Sequence, residues 1–480
     1  MASTLWRPIS TRSLQEQRSE DEQSIAMDQD VDKTRSVTTS DKQRAVPKGR
    51  AQRFGKFARL AGGVAGNMLA HGAAQLATGK RPRVKDLLLT PKNAMRLTKQ
   101  LAEMRGAAMK LGQILSMDTG DLLPQELADI LATLRSAGYA MPDAQLQEVL
   151  ADGLGPNFEK KLKGFESRPF AAASIGQVHR LSTRDGRAAV LKVQYPGVRE
   201  SIDSDVDNLA SLLRVSGLLP KHMDMSPLLA EAKSQLHEET DYEQEARYLN
   251  AFARALGDDE RFLLPRVIPS LSSSRILGMT FVPGQPIEDV AHADASERNR
   301  VAALLFELFM IELFDLRLVQ TDPNFANYQY NAETGQVVLL DFGASRRFKA
   351  SLVRGYRDLL AGAVAGDRPA MIEAAESIGY QLGPDNSLYQ QTLLELADIA
   401  LVPLTVNKSY DFGRSPIPQQ LMQLIEPLKD NSTFWQVPPI DVAYIHRKIG
   451  GLFMLATRLN ATINVHELLL PWLDQHDTAP

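Results

Sequence analysis

Two aspartates and an asparagine define the chemistry this chain could perform. Asp322 and Asn327 stand five apart in Gln320-Thr321-Asp322-Pro323-Asn324-Phe325-Ala326-Asn327, and Asp341 follows fourteen residues later at the head of Asp341-Phe342-Gly343. All three offer hard oxygen atoms of the kind magnesium takes, and phosphoryl transfer with two magnesium ions needs this layout. Asp341 would ligate the metal that bridges the phosphates. Asn327 would add a neutral oxygen, and Asp322 would face the γ-phosphate to orient a hydroxyl or a water. Asp-Phe-Gly alone arises often by chance. The Asp-x-x-x-x-Asn before it, with the apolar run Val337–Leu340 between, makes the combination far more selective. The plain alternative is a pair of turns capped by Asx side chains.

A phosphate site also needs a cation. Val190-Leu191-Lys192-Val193 places a lysine inside an apolar strand pattern, where it is costly unless paired. In kinases a lysine so placed reaches the α- and β-phosphates and an acid on the following helix. Candidates run from Glu238 to Glu245, with Asp241 and Glu245 on one face at i, i+4, although an acidic helix is in itself most simply a solvated face. The glycine-rich loop of ordinary kinases is missing. Phe170-Ala171-Ala172-Ala173-Ser174-Ile175-Gly176-Gln177 stands instead, and alanine does not take positive φ cheaply, so this turn must hold a nucleotide differently. Thr78-Gly79-Lys80 precedes Arg81 and lacks upstream glycine spacing, which excludes a Walker A loop, and His237-Glu238 has no second histidine at the metalloprotease step. Lys110 and Gln113 share a helix face at i, i+3; periodicity alone reads them as a surface lysine and a solvated glutamine.

The elements that must position these residues follow in order. Residues 1–45 are polar and charged and are expected to be disordered. Residues 46–85 carry two basic clusters around a Gly/Ala-rich run, Leu60 to Gly79, with Gly62 and Gly66 in a GxxxG and a polar stripe at Asn67, His71 and Gln75. This suits either an interfacial helix held to anionic lipid by its flanks or a small-residue helix packed on its own protein. Leu97, Leu101, Met104, Ala108, Leu111 and Leu115 give a helical stripe, and Pro124 opens another helix through Leu134. Residues 86–150 thus read as a helical extension. Residues 151–282 read as a small mixed lobe. A hairpin is expected around Arg184-Asp185-Gly186-Arg187, then one helix over 226–256, then strands at 266–271 and 275–282. Pro283-Gly284 breaks the chain, and residues 283–480 read as a large helical lobe with a hairpin over 327–340.

With 480 residues, 44% hydrophobic and 23% charged, the chain is ordinary for a globular protein with two or three domains. It has no cysteine, which excludes disulfides, thiolate zinc sites, iron–sulfur clusters and cysteine nucleophiles. The 54 basic and 58 acidic residues leave a net charge of −4, so nothing points to nucleic acid. No clean apolar run of signal-peptide or membrane-spanning type is visible, and the simplest compartment is reducing and cytoplasmic.

Together these motifs resemble the UbiB/AarF/ADCK family of atypical kinases, close to its ubiquinone-biosynthesis branch, from about residue 47 to 470. Lys110–Gln113 resembles the KxGQ motif, Phe170–His179 the alanine-rich loop, Glu239-Thr240-Asp241 the ExD motif, Gln320–Asn327 the catalytic loop, and His446-Arg447-Lys448-Ile449-Gly450-Gly451 a C-terminal signature. The resemblance implies an α+β, protein-kinase-like bilobal fold with a helical N-terminal extension. It implies a catalytic Asp322, a Lys192–Glu245 ion pair and metal ligation by Asn327 and Asp341. Nucleotide contact would come from Ala171, Ala172, Ala173, Ser174, Lys192, Met279, Thr280 and Val282. Lys110, Gln113, Glu239 and Asp241 would lie over the site and occlude a peptide, which reverses the surface reading of Lys110. ATP or ADP with Mg2+ would be the cofactors. Quinone-biosynthesis enzymes or an isoprenoid lipid would be the partners, and the resemblance accommodates a homodimer. Peripheral contact with the inner (cytoplasmic) membrane would come through residues 46–85, in mitochondria if the source is eukaryotic. Gln320 and Thr321 stand where ordinary kinases carry the His and Arg of HRD, so a phospho-activation switch through that arginine is not expected.

Three functions remain open at this level. The first is a magnesium-dependent ATPase or atypical kinase supporting quinone synthesis. The second is a protein kinase acting in trans, disfavoured by the short stretch between Gly343 and the helical pattern from Ser351. The third is a nucleotide-gated scaffold without catalysis.

Overall fold

A computed structural model describes residues 40–43, 139–173, 175–216, 226–322, 324–382, 387–428 and 439–474. Residues 86–138 of the expected extension, with Lys110 and Gln113, the segment 46–85 and Ser174 lie outside these residues. So does the expected disordered start, apart from Ser40–Gln43, which pairs in parallel with Tyr139–Ala140.

The small lobe is built on period-2 alternation. Strands β1 (Ala171–Ala172), β2 (Gly176–Ser182), β3 (Ala188–Gln194) and β5 (Ile276–Thr280) form one antiparallel sheet in the order β1-β2-β3-β5. The β2–β3 turn closes where expected, with Thr183 N–H donating to Arg187 O at 2.8 Å and Gly186 at φ 86°. Along β3, Ala189, Leu191 and Val193 pack with helix α1 (Asp143–Leu154) through Leu146, Leu150 and Leu154. That helix crosses the expected boundary at 150/151. Val190 falls in the opposite cluster, the interior shared with the large lobe. Lys192 is in phase with Val190 and so faces inward.

The run 226–256 is two helices, not the single one expected. After helix α2 (Val198–Ser216), helix α3 (Ser226–Glu239) stops and α4 (Tyr242–Leu256) restarts, because Asp241 leaves helical geometry and its carboxylate accepts the Gln244 N–H at 2.9 Å as an N-cap. Asp241 and Glu245 are therefore not an i, i+4 helical pair. The strand expected over 266–271 is also absent. Only Val267 bridges to Met279, and Pro269–Leu271 forms a 3-10 turn, since Pro269 has no N–H for a ladder.

The large lobe surrounds helix α5 (Ala295–Met310), whose Val301, Leu304, Leu305, Leu308, Phe309 and Met310 are all buried. Such all-round burial marks a central helix. It runs into a π-turn, Ile311–Asp315. Strand β7 (Leu318–Gln320) pairs with β10 (Ser345–Arg347). The expected hairpin forms from β8 (Tyr328–Asn331) and β9 (Gln336–Leu339), with β4 (Phe262–Leu263) and β6 (Gln285–Pro286) at the sheet edges. Helices α6 (Ala350–Ala365), α7 (Arg368–Ser377), α8 (Leu388–Ala400), α9 (Ile417–Ile425), α10 (Ile440–Arg458) and α11 (Val465–Leu473) complete it. This is an α+β, bilobal, protein-kinase-like fold.

Candidate active site

Strand β3, helix α4 and the end of β9 bring three charges together. The Lys192 ammonium donates to Glu245 Oε1 and Oε2 at 2.8 and 2.9 Å, and lies 3.3 Å from Asp341 Oδ2. Lys192 is 9% exposed and Glu245 2%. Each has its own structural cause. The β3 alternation turns Lys192 inward. The Asp241 cap begins α4 so that Glu245, whose N–H donates to Asp241 O at 3.0 Å, sits in the first turn. Phe252 of α4 packs on Phe342 with ring centroids 4.9 Å apart, which ties that helix to Asp341-Phe342-Gly343. The Gly343 N–H donates to Asp341 Oδ1 at 2.9 Å and orients the carboxylate.

Electrostatics follow from burial. Burial alone would discharge Lys192, but the Asp341 and Glu245 carboxylates outweigh it and hold the ammonium protonated well above its usual range. Burial pushes the Glu245 carboxyl up to about 7, with Lys192 opposing and Asp341 and Glu239 adding to the push. Asp341 differs: its side chain is 42% exposed, so one face stays open to a ligand.

The segment 320–328 forms the floor. The Asn327 side-chain amide donates to Asp322 O at 3.3 Å and to Asp322 Oδ2 at 3.2 Å, and Leu340 N–H donates to Asn327 O at 3.1 Å, so β9 carries Asp341 in beside Asn327. Thr321 donates its hydroxyl to Ala344 O at 2.7 Å. Arg447 of α10 brings a guanidinium to 3.5 Å from Asp322 Oδ1 and to 3.4 Å from Gln235 Oε1. Among the described residues no group of three or more His, Asp, Glu or Cys could hold a metal. Asp341 and Asn327 are the donor set magnesium takes when phosphates and waters supply its other positions.

The remaining expected residues spread along the sheet. Ala171 and Ala172 pair with Val178 and Gln177, and the Ala173 N–H donates to Gly176 O at 2.9 Å. A Cβ on Gly176 would meet Val193 O at 2.4 Å, so only glycine fits under this loop. Met279 pairs with Val190 and is buried, while the Thr280 hydroxyl accepts the Arg266 N–H at 2.8 Å and Val282 follows the strand half-buried. Asp241 caps α4 through Oδ1 and keeps its other oxygen toward Arg247 at 3.9 Å. Three contacts were missed by sequence reasoning: Arg447 on Asp322, and Glu312 and Tyr328 on Lys448. Their signals are an acid inside the apolar run Phe309–Phe314, and a lysine in step with Ile445 and Leu452.

Comparison with known proteins agrees with this geometry. A family model described as the ABC1 atypical kinase-like domain matches residues 133–375. The chain is 36% identical over 429 residues to the mitochondrial atypical kinase COQ8 of Saccharomyces cerevisiae, covering 89% of this chain and 85% of that one. It is 35% identical over 434 residues to the mitochondrial atypical kinase COQ8B of Rattus norvegicus, covering 89% and 81%. The solved structure of the Rv3197–erythromycin complex from Mycobacterium tuberculosis is similar in fold, with a TM-score of 0.55 at 24% identity over 81% of this chain and 97% of that one.

Proposed function

The chain belongs to the ABC1, or UbiB-type, family of atypical kinases, and from that premise we propose that it binds Mg-ATP and turns it over in support of ubiquinone biosynthesis. The observation that carries this reading is the meeting of Lys192, Glu245 and Asp341 within ion-pair distance, one strand-turn away from the Asn327–Asp322 contact. Lys192 would hold the α- and β-phosphates, with Glu245 keeping the ammonium charged and aimed. Asn327 and Asp341 would hold magnesium, which neutralises phosphate charge when bound. Asp322 would orient the attacking hydroxyl or water, its carboxylate fixed by the Asn327 amide on one side and Arg447 on the other. Ala171, Ala172, Ala173 and Ser174 would cover the nucleotide in place of a glycine-rich loop, with Met279, Thr280 and Val282 beside the base. Lys110, Gln113, Glu239 and Asp241 would lie over the site and occlude the place where a protein kinase binds its peptide.

The relatives named as mitochondrial support a place in mitochondria, and contact with the inner membrane is part of the proposal. Among the described residues no helix is long and apolar enough to cross a membrane, and peripheral contact is assigned to residues 46–85. Sedimentation with cardiolipin-containing liposomes tests that part, which requires deletion of 46–85 to abolish binding. The central test is complementation of a strain unable to make ubiquinone, with purified protein assayed alongside for Mg-ATP hydrolysis. Wild type is expected to restore growth and quinone; Lys192→Ala, Asp322→Asn and Asp341→Asn are expected to fail in both assays. Growth sustained by an Asp322→Asn chain without hydrolysis would replace turnover by nucleotide-gated scaffolding.

A further inference from the structure

Helix α10 passes beneath the floor of the site and carries a lysine that the reaction above does not use. Lys448 is 1% exposed, as is Glu312 of the π-turn after α5. The Lys448 ammonium lies 2.9 Å from Glu312 Oε2 and donates to the Tyr328 hydroxyl at 2.7 Å. The backbone N–H of Gln320 lies close enough to the Glu312 carboxylate to favour its charged form. Gln320 and Tyr328 bracket the segment that holds Asp322 and Asn327. One buried ion pair therefore hangs on both ends of that segment, while the preceding residue of the same helix, Arg447, reaches the Asp322 carboxylate in its middle.

Stability gives little reason for such a pair. Desolvating two charges consumes most of their attraction, and well-packed apolar substitutes of similar volume are often as stable or more so. Geometry supplies a reason. A π-turn widens the helix by one residue per turn and recurs at functional sites; here it contains Glu312, facing the segment. We propose that Lys448 and Glu312 are positioning residues. Their ion pair fixes the two ends of 320–328, so that Asp322 and Asn327 are presented at one depth to the phosphates, and α10 thereby becomes part of the active-site frame. This rests on the nucleotide-site reading above.

The test uses the full chain and the double variant Lys448→Met/Glu312→Leu, with Tyr328→Phe as a milder change that keeps the ring and loses only the hydroxyl held by Lys448. Four quantities are read: the urea midpoint, kcat and KM for Mg-ATP hydrolysis, and amide hydrogen exchange of peptides covering 320–328. The double variant is expected to keep a midpoint near wild type, to exchange faster at 320–328 than elsewhere, and to lose on the order of ten- to a hundredfold in kcat with little change in KM. Tyr328→Phe is expected to move exchange and kcat the same way by a smaller factor, and it decides the matter if the double variant does not fold. Wild-type exchange at 320–328 in the folded variants overturns the proposal. Absence of hydrolysis by the unaltered chain would instead refute the functional reading, and the exchange data would still decide the positioning role.

Discussion

Lys192 meets two carboxylates that differ in exposure, and the difference separates their roles. Glu245 has no water to fall back on. Lys192→Met leaves it buried without a counter-charge, a change that costs about 3–5 kcal/mol when the remaining group stays charged. Glu245 can escape by taking up a proton, so the loss depends on pH. In the intact protein its carboxyl moves from an ordinary 4.5 to about 7. The folded chain therefore binds more protons than the unfolded chain across that window, and this group's contribution to stability is full below 4.5 and lost as pH rises through 7. Without Lys192 the shift grows, so the gap between wild type and Lys192→Met is expected to be wider at pH 8 than at pH 5.5, read from urea midpoints at both. Glu245→Gln should remove the extra slope. Asp341 is half open to solvent, so Asp341→Asn is expected to change the urea midpoint little.

At the scale of elements, two local devices set the geometry. The Asp241 cap breaks 226–256 into α3 and α4 and fixes the first turn that carries Glu245. Asp241→Ala is expected to cost about 1 kcal/mol in urea unfolding, and Asp241→Asn, which can still cap, much less. The alanine-rich loop depends on its one glycine, Gly176. Gly176→Ala would place a Cβ 2.4 Å from Val193 O, an overpacking expected to cost about 1–3 kcal/mol and to displace the loop from β3. Differential scanning calorimetry measures the first effect. Weaker nucleotide affinity, if the loop covers the nucleotide as proposed, measures the second.

Across the whole molecule, the site draws on a small-lobe strand, a small-lobe helix and the floor of the large lobe, so a bound nucleotide would tie the lobes together. A ligand that binds only the folded state adds about 2.7 kcal/mol at a hundredfold excess over its Kd. Mg-ADP is expected to raise the melting temperature of wild type, EDTA to cancel the rise, and Asp341→Asn to abolish it while leaving the melting temperature of the ligand-free protein nearly unchanged. A basic excess plays no part at this scale, since the chain carries −4 overall.

Local grammar was legible in the sequence wherever a short-range rule governs. The alternation of 188–194 faced Lys192 inward, the apolar run before Asp341 made a strand, and the Asx spacing of 322–327 made a tight floor. Rules of short range also misled: periodicity continued a helix through Thr240 because it does not weigh a cap against a further turn, and β-type composition at 266–271 concealed the missing N–H of Pro269. Which acid among five would meet Lys192 was implied as Glu245 by the family resemblance, while spacing alone left it open until α4 lay against β3. That Arg447 meets Asp322, and that Lys448, Glu312 and Tyr328 share one buried contact, needed three distant stretches folded together. Such pairings are decided by where packing brings helices to rest, and burial then makes an unpaired charge too costly to leave. That energy exists only once the lobes have closed around it.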